Sequence, residues 1–456
     1  MRGFKMDKKV NLLVVGGGAA GMSIAAAAKR AQPEWNVTVI EAGEWISFGA
    51  CGIPYYIDGR IKSINDLVVL TPEDAQKKKG VNALVKHIVE DVDINAHRAL
   101  VHNIEGDRTL VFEYEKLAIA TGAKPIIPSI QGANSEGVFS IRSLYDAIKI
   151  RRFIEENSPK EAVIIGAGFV GMEMAESLTM LGIKVTVIEL LPTVLGLYDS
   201  QMRDAVISEG KDNGVDFKLE ERVSAIETKN GKVSAVHTDK GDYKADIVIM
   251  SVGIRPNVEL ARKIGLELGA GGAIYVDLKG ATSRPNIFAA GDCAQIRDLI
   301  TGNWIWVPLG TTANRQGRAI GYTIAGKSTP FRGIVRSAVT KFFTLGIQVV
   351  GMPKEEGTKL GWKLVETTIK SSSHTHYYPG AKTSWAHLYA DATTLRILGG
   401  QYVGPAESVK RFDVIVAAVS NRMTAEDLAY MNIPYAPPVG TVWDPINIAA
   451  SKLIKS

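Results

Sequence analysis

One cysteine of the chain lies in a segment whose composition suits redox chemistry. Cys51 stands in "SFGACGIPYYIDG", residues 47–59, between small residues and shortly before two tyrosines. The chain has one other cysteine, Cys293, so the two cannot build a disulfide framework. A cysteine that acts alone can become a sulfenic acid or can form a mixed disulfide with a small thiol. Either product must be reduced before the thiol can react again, so we expect the chain to bind an electron carrier.

A glycine-rich turn of the kind that binds dinucleotides follows the first apolar run. Residues 8–43 read as strand, turn, helix and strand, with Gly16, Gly18 and Gly21 in G-x-G-x-x-G and Glu41 after the second strand. The first glycine makes the tight turn, the second lets a pyrophosphate approach, and the third lets the helix pack on the strand. The helix N-terminus offers N–H groups to the phosphates, and the acid can accept hydrogen bonds from a ribose.

The same device returns 150 residues later. Residues 161–190 carry Gly166, Gly168 and Gly171 in the same spacing, with Glu189 at the end of the second strand. Two such sites in one chain predict one site for FAD and one for a nicotinamide. A carboxylate at Glu189 would repel a 2′-phosphate, and "VIELLP" places no arginine beside it. The sequence therefore favours NADH, with NADPH still possible.

Composition excludes several classes of partner. The chain has 456 residues and a net charge of +5, with 46% hydrophobic and 22% charged residues, as in a soluble globular protein of about three domains. The basic residues form no long tract, so we expect no nucleic acid partner. No apolar stretch is long enough to span a membrane, and "MRGFKMDKKV" is not typical of a signal peptide. A reducing cytoplasm is the expected location.

Three further segments carry a resemblance to a known family. "LAIATGAKP" (117–125), "VGIRPN" (252–257) and "RPNIFAAGDCA" (284–294), with the two glycine turns, resemble the flavin-dependent pyridine nucleotide–disulfide oxidoreductases. The resemblance covers nearly the whole chain. It implies that the first turn binds FAD and that the second binds NAD(P)H.

The resemblance also implies further contacts of the flavin. Thr121 and Gly122 belong to one of its flavin signatures, and Asp292 would bind the ribityl chain of FAD. A helix that begins near "TTANRQGR" (311–318) would point its N-terminus at the flavin pyrimidine ring. Cys293 lies within the signature and is interpreted as a small packing residue.

The redox cysteine resembles that of one branch of the family. Members similar to glutathione reductase carry C-x-x-x-x-C, whereas Ile46 and Tyr56 stand where a partner of Cys51 would be. The single-cysteine branch contains coenzyme A disulfide reductases, NADH oxidases, NADH peroxidases and persulfide reductases. Oxidases and peroxidases carry a histidine in the first glycine loop; Ala19 holds that position here, and no histidine occurs in residues 1–86.

The resemblance therefore favours reduction of coenzyme A disulfide, or of a coenzyme A-linked persulfide or polysulfide. It implies that Arg30 contacts coenzyme A phosphates and that Ser47 and Phe48 flank the pantetheine arm. Coenzyme A disulfide reductases often carry Asn before the cysteine, whereas Ala50 stands here, which leaves the sulfur substrate open. The alternatives are an NADH oxidase that forms hydrogen peroxide and a non-catalytic flavin redox sensor.

The C-terminal third resembles the dimerisation domain of the same group. In that group two tyrosines of one subunit reach the cysteine site of the other, and the matching residues here are Tyr377 and Tyr435, with Tyr378 as a substitute for Tyr377. A phenol can donate a proton to a leaving thiolate. A homodimer is then required for activity. His374 and His376 could share one face of a strand, but two histidines make a weak metal site, and we expect none.

The predicted fold class is α/β, with two doubly wound Rossmann-like dinucleotide-binding domains and a C-terminal α+β dimerisation domain. We place the FAD domain at residues 1–120 and 255–328, the NAD(P)H domain at 121–254 and the dimerisation domain at 329–456. We also expect a helix N-terminus beside Cys51 that, with the flavin, lowers the pKa of its thiol.

Overall fold

The computed structural model describes residues 7–106 and 108–455. The inference that the chain lacks a signal peptide concerned residues 1–10, of which the first six lie outside the described residues. The chain forms two compact units. The first contains the chain up to Tyr56 with residues 61–125 and 254–334; the second contains residues 57–60, 126–253 and the chain from residue 335 onward.

Most strands follow one another in runs of two or more between the helices. They are β1 (Lys8–Val15), β2 (Val37–Ile40), β3 (Asn82–Leu84), β4 (His87–Asp93), β5 (Arg98–Asn103), β6 (Arg108–Ile119), β7 (Ala123–Pro125), β8 (Val138–Ser140), β9 (Glu161–Ile165), β10 (Lys184–Ile188), β11 (Val215–Lys218), β12 (Val223–Lys229), β13 (Lys232–Thr238), β14 (Asp242–Lys244), β15 (Ile247–Met250), β16 (Ile254–Pro256), β17 (Ile287–Ala289), β18 (Ile296–Arg297), β19 (Trp304–Ile305), β20 (Ser337–Phe342), β21 (Leu345–Gly351), β22 (Leu364–Ser372), β23 (Thr383–Asp391) and β24 (Ile397–Pro405).

The helices range from single turns to four turns. They are α1 (Ala19–Ala31), α2 (Ile53–Ile57), α3 (Pro72–Asp74), α4 (Leu144–Asn157), α5 (Phe169–Met180), α6 (Ser200–Asp212), α7 (Glu259–Lys263), α8 (Gly310–Ile324), α9 (Lys354–Lys359), α10 (Asp413–Ser420), α11 (Ala425–Ala429) and α12 (Pro445–Leu453). Short 3₁₀ or π turns lie at Ala50–Gly52, Ile64–Leu67, Ala75–Lys79, Ala270–Gly272 and Ala406–Phe412. Across the described part of the chain, none of these helices has the length and apolar character needed to cross a membrane.

The first unit is built on a largely parallel sheet of order β3-β2-β1-β6, extended by β5 and β4, with β17 also paired to β6. β1 runs parallel to β2 and β6, and Val15 lies opposite Ile40 on one side and Ile119 on the other. The three strands therefore end at one edge of the sheet. Their side chains are buried on both faces, which explains the continuous apolar run that predicted β1.

The second unit repeats this plan and adds another sheet. Its parallel sheet has the order β11-β10-β9-β15-β8, in which Ile165 lies opposite both Ile188 and Met250. The antiparallel sheet β20-β21-β24-β23-β22 carries a core that includes Tyr389 and Tyr402. The predicted α/β class with two doubly wound halves and an α+β region is confirmed. Each predicted domain contains one of these sheets, and the boundaries at residues 120, 254 and 328 stay predictions.

A buried histidine in the antiparallel sheet makes stability depend on pH. His387 of β23 is 3% exposed, and its Nδ1 lies 3.0 Å from the hydroxyl oxygen of Thr368, which donates to Asp199 at 2.7 Å. Burial lowers the pKa of His387 to about 4, against the opposing field of Glu366. The neutral imidazole is therefore the form that the folded chain accommodates.

We predict that the free energy of unfolding falls as pH drops from about 6.5 to about 4, because the unfolded chain protonates His387 first. The contribution is on the order of 3 kcal/mol over that window. His387→Gln should flatten this part of the pH dependence in urea unfolding followed by circular dichroism. His237 is the control, because its hydrogen bond to Asp242 raises the pKa of its imidazole. Its contribution to the free energy of unfolding therefore has the opposite pH dependence and decreases as pH rises. An unchanged pH profile in His387→Gln would contradict the prediction.

Candidate active site

The first glycine turn joins the end of β1 to α1 and is pressed against the sheet. Gly16 has φ +103°, and a Cβ built on it would lie 2.3 Å from the carbonyl oxygen of Ala120. A Cβ on Gly21 would lie 1.8 Å from the carbonyl oxygen of Gly16. By contrast, no described atom lies within 4 Å of a Cβ built on Gly18. The first and third glycines therefore allow close packing, and the second faces the space that a pyrophosphate would occupy.

The second turn, between β9 and α5, has nearly the same geometry. Gly166 has φ +105°, and its Cβ would lie 2.4 Å from the carbonyl oxygen of Ser251. A Cβ on Gly171 would meet the carbonyl oxygen of Gly166 at 2.0 Å, and the surroundings of Gly168 are open among the described atoms. In both turns a glycine precedes the helix, and no described side chain caps the helix N-terminus. Both cradles thus fit a dinucleotide phosphate group.

The two predicted ribose acids lie at the strand ends beside these turns. The carboxylate of Glu41 accepts a hydrogen bond from the backbone N–H of Gly17 at 2.7 Å. The carboxylate of Glu189 accepts one from Ala167, also at 2.7 Å. Each acid therefore ties the glycine turn to the end of the neighbouring strand, a role that sequence reasoning had not assigned to it. Carboxylate oxygens have further lone pairs for ribose hydroxyls.

The other flavin-signature residues lie at the carboxyl ends of β6 and β17. The Thr121 hydroxyl donates to the carbonyl of Asn257 at 2.6 Å, and the N–H of Asn257 donates to the carbonyl of Gly122 at 2.9 Å. Asp292 is half-buried, and its carbonyl accepts from the Trp306 indole at 2.7 Å. All three residues belong to the compact unit that holds the first turn, and their assignment to one flavin site stays a prediction.

Cys293 has the environment of a packing residue. It is fully buried, and its Sγ lies 3.5 Å from the carbonyl oxygen of Ile119 and 3.4 Å from that of Ala290. Burial raises the pKa of its thiol. A thiol without water and with a raised pKa is a poor nucleophile, which supports the interpretation from sequence.

Helix α8 begins at Gly310, close to the predicted start, and packs along α1. Glycines one turn apart allow this: a Cβ on Gly317 would lie 2.5 Å from the carbonyl oxygen of Ala20, and one on Gly321 would lie 2.4 Å from that of Ile24. The close approach brings side chains of both helices to one cleft.

This cleft, of about 470 Å³, is strongly cationic. Its lining contains Arg30 of α1 with Arg315, Arg318 and Tyr322 of α8, and no carboxylate from the described residues. Arg30 donates to the Tyr322 hydroxyl at 3.0 Å, and this bond, with the field of both Arg30 and Arg318, lowers the pKa of that phenol. Sequence reasoning found Arg30 and missed the α8 residues. The paired glycines beside "NRQGR" were the signal that could have revealed them.

Cys51 lies at the solvent-exposed start of a short helical segment. It is the central residue of the turn Ala50–Gly52, which runs directly into α2. The expected helix N-terminus beside Cys51 is therefore present. Because α2 has five residues, its peptide dipoles provide less charge than those of a long helix. The lowering of the Cys51 pKa stays a prediction.

The residues before Cys51 connect it to the first glycine turn. The N–H of Ser47 donates to the carbonyl of Gly17 at 2.9 Å, and Phe48 forms a β-bridge with Val68. Ser47 also has φ +47°, a value uncommon for residues other than glycine. Ser47, Phe48 and Cys51 therefore belong to one loop held against the first glycine turn.

The two predicted tyrosines lie on loops that contact each other. Tyr377 is 66% exposed and Tyr435 is 46% exposed. The loops are joined by a hydrogen bond from the Thr375 hydroxyl to the carbonyl of Pro437 at 3.0 Å. Because the tyrosines and Cys51 belong to different compact units, the predicted meeting across subunits stays a prediction.

A half-buried arginine that sequence reasoning missed contacts both tyrosine loops. Arg411 donates to the carbonyl of Ser373 at 2.7 Å and to that of Val439 at 2.8 Å. No local pattern marks this residue, because its two acceptors are backbone atoms from distant parts of the chain.

The histidines of the first tyrosine loop make ordinary polar and ring contacts. His374 and His376 follow the end of β22, so the expectation of a shared strand face is wrong. His374 contacts the Ser373 hydroxyl at 3.1 Å, and His376 packs edge-on against Tyr377.

Comparison with known proteins agrees with this geometry. Residues 10–317 match the pyridine nucleotide-disulphide oxidoreductase family, and residues 337–445 match the dimerisation domain of that family. The chain is 40% identical to the NAD(P)H sulfur oxidoreductase (CoA-dependent) of Pyrococcus abyssi, over 99% of this chain and 100% of that protein. It is 36% identical to an NADH oxidase of Methanocaldococcus jannaschii, over 97% of this chain and 98% of that protein.

A solved structure has nearly the same fold. The NAD-dependent persulfide reductase from A. fulgidus superposes with a TM-score of 0.94 at 35% identity, covering 98% of this chain and 83% of that one. Family match, sequence identity and fold point the same way: the chain belongs to the pyridine nucleotide-disulphide oxidoreductases.

Proposed function

We propose that the chain is a homodimeric flavoprotein that uses NADH, or NADPH, to reduce coenzyme A disulfide or a coenzyme A-linked persulfide or polysulfide through Cys51. For the disulfide, one NADH and one proton yield NAD⁺ and two thiols. The observation that carries the coenzyme A assignment is the arginine cleft between α1 and α8, in the same compact unit as the exposed Cys51. Coenzyme A carries several phosphate charges, and arginine pairs well with phosphate.

The two cradles assign the cofactors. When bound, FAD relays two electrons between the nicotinamide and the sulfur chemistry. The residues proposed to hold FAD are Gly16, Gly18, Gly21, Glu41, Thr121, Gly122 and Asp292. Those proposed to hold the nicotinamide dinucleotide are Gly166, Gly168, Gly171 and Glu189. The open middle glycine and uncapped helix N-terminus of each cradle support this assignment.

Cys51 provides the nucleophile in this proposal. Its thiolate attacks one sulfur of the substrate, the S–S bond breaks, and one thiolate leaves while a mixed disulfide forms. Two electrons then break the mixed disulfide, which releases the second thiol and restores the Cys51 thiolate. The exposure of Cys51 supports access for a bulky substrate, and Ser47 and Phe48 of the same loop are proposed to flank its pantetheine arm.

Tyr377 and Tyr435 are proposed to hold protons for the leaving thiolates. Their exposure on a single subunit is what a role at a subunit interface requires. Further exposed apolar side chains lie on the same stretch of chain: Tyr430, Val439, Val442 and Trp443. A surface of this kind supports burial against a second copy of the chain.

A peroxide-forming NADH oxidase is the second candidate. It is favoured by the exposure of Cys51 and by the relative in Methanocaldococcus jannaschii that carries that name. Against efficient oxygen chemistry, Ala19 begins α1 where oxidases and peroxidases would carry a histidine. A non-catalytic flavin sensor would show flavin reduction by NADH without turnover of any acceptor.

We predict that Cys51→Ser abolishes disulfide turnover and leaves FAD binding and flavin reduction by NADH intact, because serine cannot form the mixed disulfide. Anaerobic NADH consumption with coenzyme A disulfide measures this, with cystine, glutathione disulfide and coenzyme A persulfide as comparison acceptors. Cys293→Ala is the matched control and should keep turnover.

Each outcome of that assay has a definite meaning. Preference for the persulfide would assign the enzyme to sulfur reduction with the same residues. Turnover that appears only when air is admitted would make the oxidase the leading function. Full turnover in Cys51→Ser would contradict the mechanism.

Removing an arginine of the cleft should weaken binding of coenzyme A substrates specifically. We predict that Arg318→Ala raises the KM for coenzyme A disulfide roughly tenfold or more, since a charge-assisted hydrogen bond contributes about 1.5–3 kcal/mol. The kcat and the KM for cystine should change little. Arg152→Ala, at an exposed ion pair of α4, is the control. Equal loss with both acceptors would contradict a phosphate site.

Glu189 should set the nicotinamide preference. We predict that Glu189→Ala with Leu190→Arg shifts the ratio of kcat/KM for NADPH over NADH upward by about tenfold or more, because a repelling carboxylate is replaced by a cation near the 2′-phosphate. Initial rates with each nucleotide measure the ratio. Glu156→Ala on α4 is the control, and a ratio unchanged from the parent chain would show that Glu189 does not face the ribose.

A further inference from the structure

A buried carboxylate that the proposed chemistry does not use lies on α5. The side chain of Glu176 is 3% exposed. One oxygen accepts from Arg60 Nη1 at 2.6 Å and from Lys341 Nζ at 2.7 Å, and the other accepts from the N–H of Phe343 at 2.8 Å. A buried charge is strongly unfavourable unless it is paired in this way. A charged Glu176 therefore depends on these three hydrogen-bond donors.

Arg60 is held by a second carboxylate as well. Its Nε donates to Asp58 at 2.8 Å, and its own N–H donates to the same side chain at 2.9 Å. The Asp58 side chain is fully buried. The guanidinium group thus lies between Asp58 and Glu176, and its planar set of donors fixes its orientation. Residues 57–60 belong to the same compact unit as α5 and β20.

Arg60 lies near the C-terminal end of the segment that begins with Cys51. Between them lies α2, in which Ile53 and Ile57 are buried. The N–H of Ile61 donates to the carbonyl of Tyr55 at 2.8 Å and closes the loop after the helix. Buried side chains and this backbone hydrogen bond therefore restrain the segment from Cys51 to Ile61. Near its C-terminal end, Arg60 is paired with Glu176.

We propose that Arg60 and Glu176 are positioning residues for Cys51: their ion pair fixes the end of the short helical segment whose start carries the nucleophile. Cys51 is exposed in the turn that precedes α2, so the position of its Sγ depends on what holds the rest of the segment. The inference rests on the role of Cys51 in the proposed function. A displacement of about 1 Å at a reacting atom can reduce a rate by about two orders of magnitude.

The test follows the thiol directly in the FAD-loaded protein. The rate of Cys51 alkylation by iodoacetamide is measured against pH for the parent chain, Arg60→Lys, Arg60→Ala and Glu176→Gln. Only the thiolate reacts, and buried Cys293 should not contribute; Cys51→Ser gives the background. We expect Arg60→Ala and Glu176→Gln to raise the midpoint pH by about half a unit or more, because the thiolate loses its fixed place before the start of α2.

Kinetics separate positioning from general damage. In Arg60→Ala and Glu176→Gln, the kcat with coenzyme A disulfide should fall about tenfold or more, while the KM for NADH and the rate of flavin reduction by NADH stay within about twofold. Arg60→Lys keeps a cation but not the planar fork and should be intermediate. The double variant should be no worse than the more severe single one, because both act through one ion pair.

Controls make each result decisive. Glu156→Gln removes an exposed ion pair from α4 and should leave the alkylation profile unchanged. If Arg60→Ala fails to fold, the milder Arg60→Lys carries the test. Folded variants with the parent alkylation profile and the parent kcat would overturn the proposal. Full turnover in Cys51→Ser would instead overturn the proposed function, and the alkylation result would still report on the position of the thiol.

Discussion

The structure depends on a close approach of backbone to backbone that a side chain would prevent. At the end of β1 and again at the end of β9, the turn lies so near the neighbouring strand that a Cβ would be 2.3 or 2.4 Å from a carbonyl oxygen. Because each turn is held there, the next helix begins over the carboxyl ends of parallel strands. The phosphate cradle is then made of main-chain N–H groups, and the side chains need only leave space. Glu41 and Glu189 complete the turns by accepting one of their N–H groups.

Helix α1 extends this constraint to the substrate. Its N-terminal end follows the glycine turn proposed to hold FAD, and farther along the helix packs closely against Gly317 and Gly321 of α8. The same packing places Arg30 beside Arg318 at the cationic cleft. The proposed cofactor and substrate sites are therefore not independent, since a shift of α1 would change both. This explains why a residue in the middle of α8 can matter for substrate binding although no motif includes it.

Features that depend on short stretches of sequence were predictable. The order of strand, turn, helix and strand predicted for residues 8–43 is present, and the roles of Gly16 and Gly166 followed from the chemistry of the turn. Contacts between residues that are far apart in the sequence were not predictable. Arg60 and Glu176 are 116 residues apart, and the bonds of Arg411 end on distant carbonyls. The shared strand face of His374 and His376 was wrong for a related reason. Alternating residues share a face only within a strand, and β22 ends at Ser372, before both histidines.

The two cysteines show what a lone nucleophile requires. Cys293 is packed on all sides, and the burial that fixes it also raises the pKa of its thiol and excludes a substrate. Cys51 is exposed, which admits a bulky substrate but removes the packing that would fix its position. A reactive thiol therefore needs rigidity from elsewhere in its segment. The chain provides this with charge in addition to the apolar packing of Ile53 and Ile57: beyond α2, the buried carboxylates of Asp58 and Glu176 hold one guanidinium group between them. Apolar packing alone would hold the segment by the fit of its side chains. An ion pair of fixed geometry also sets the direction in which the segment leaves the helix.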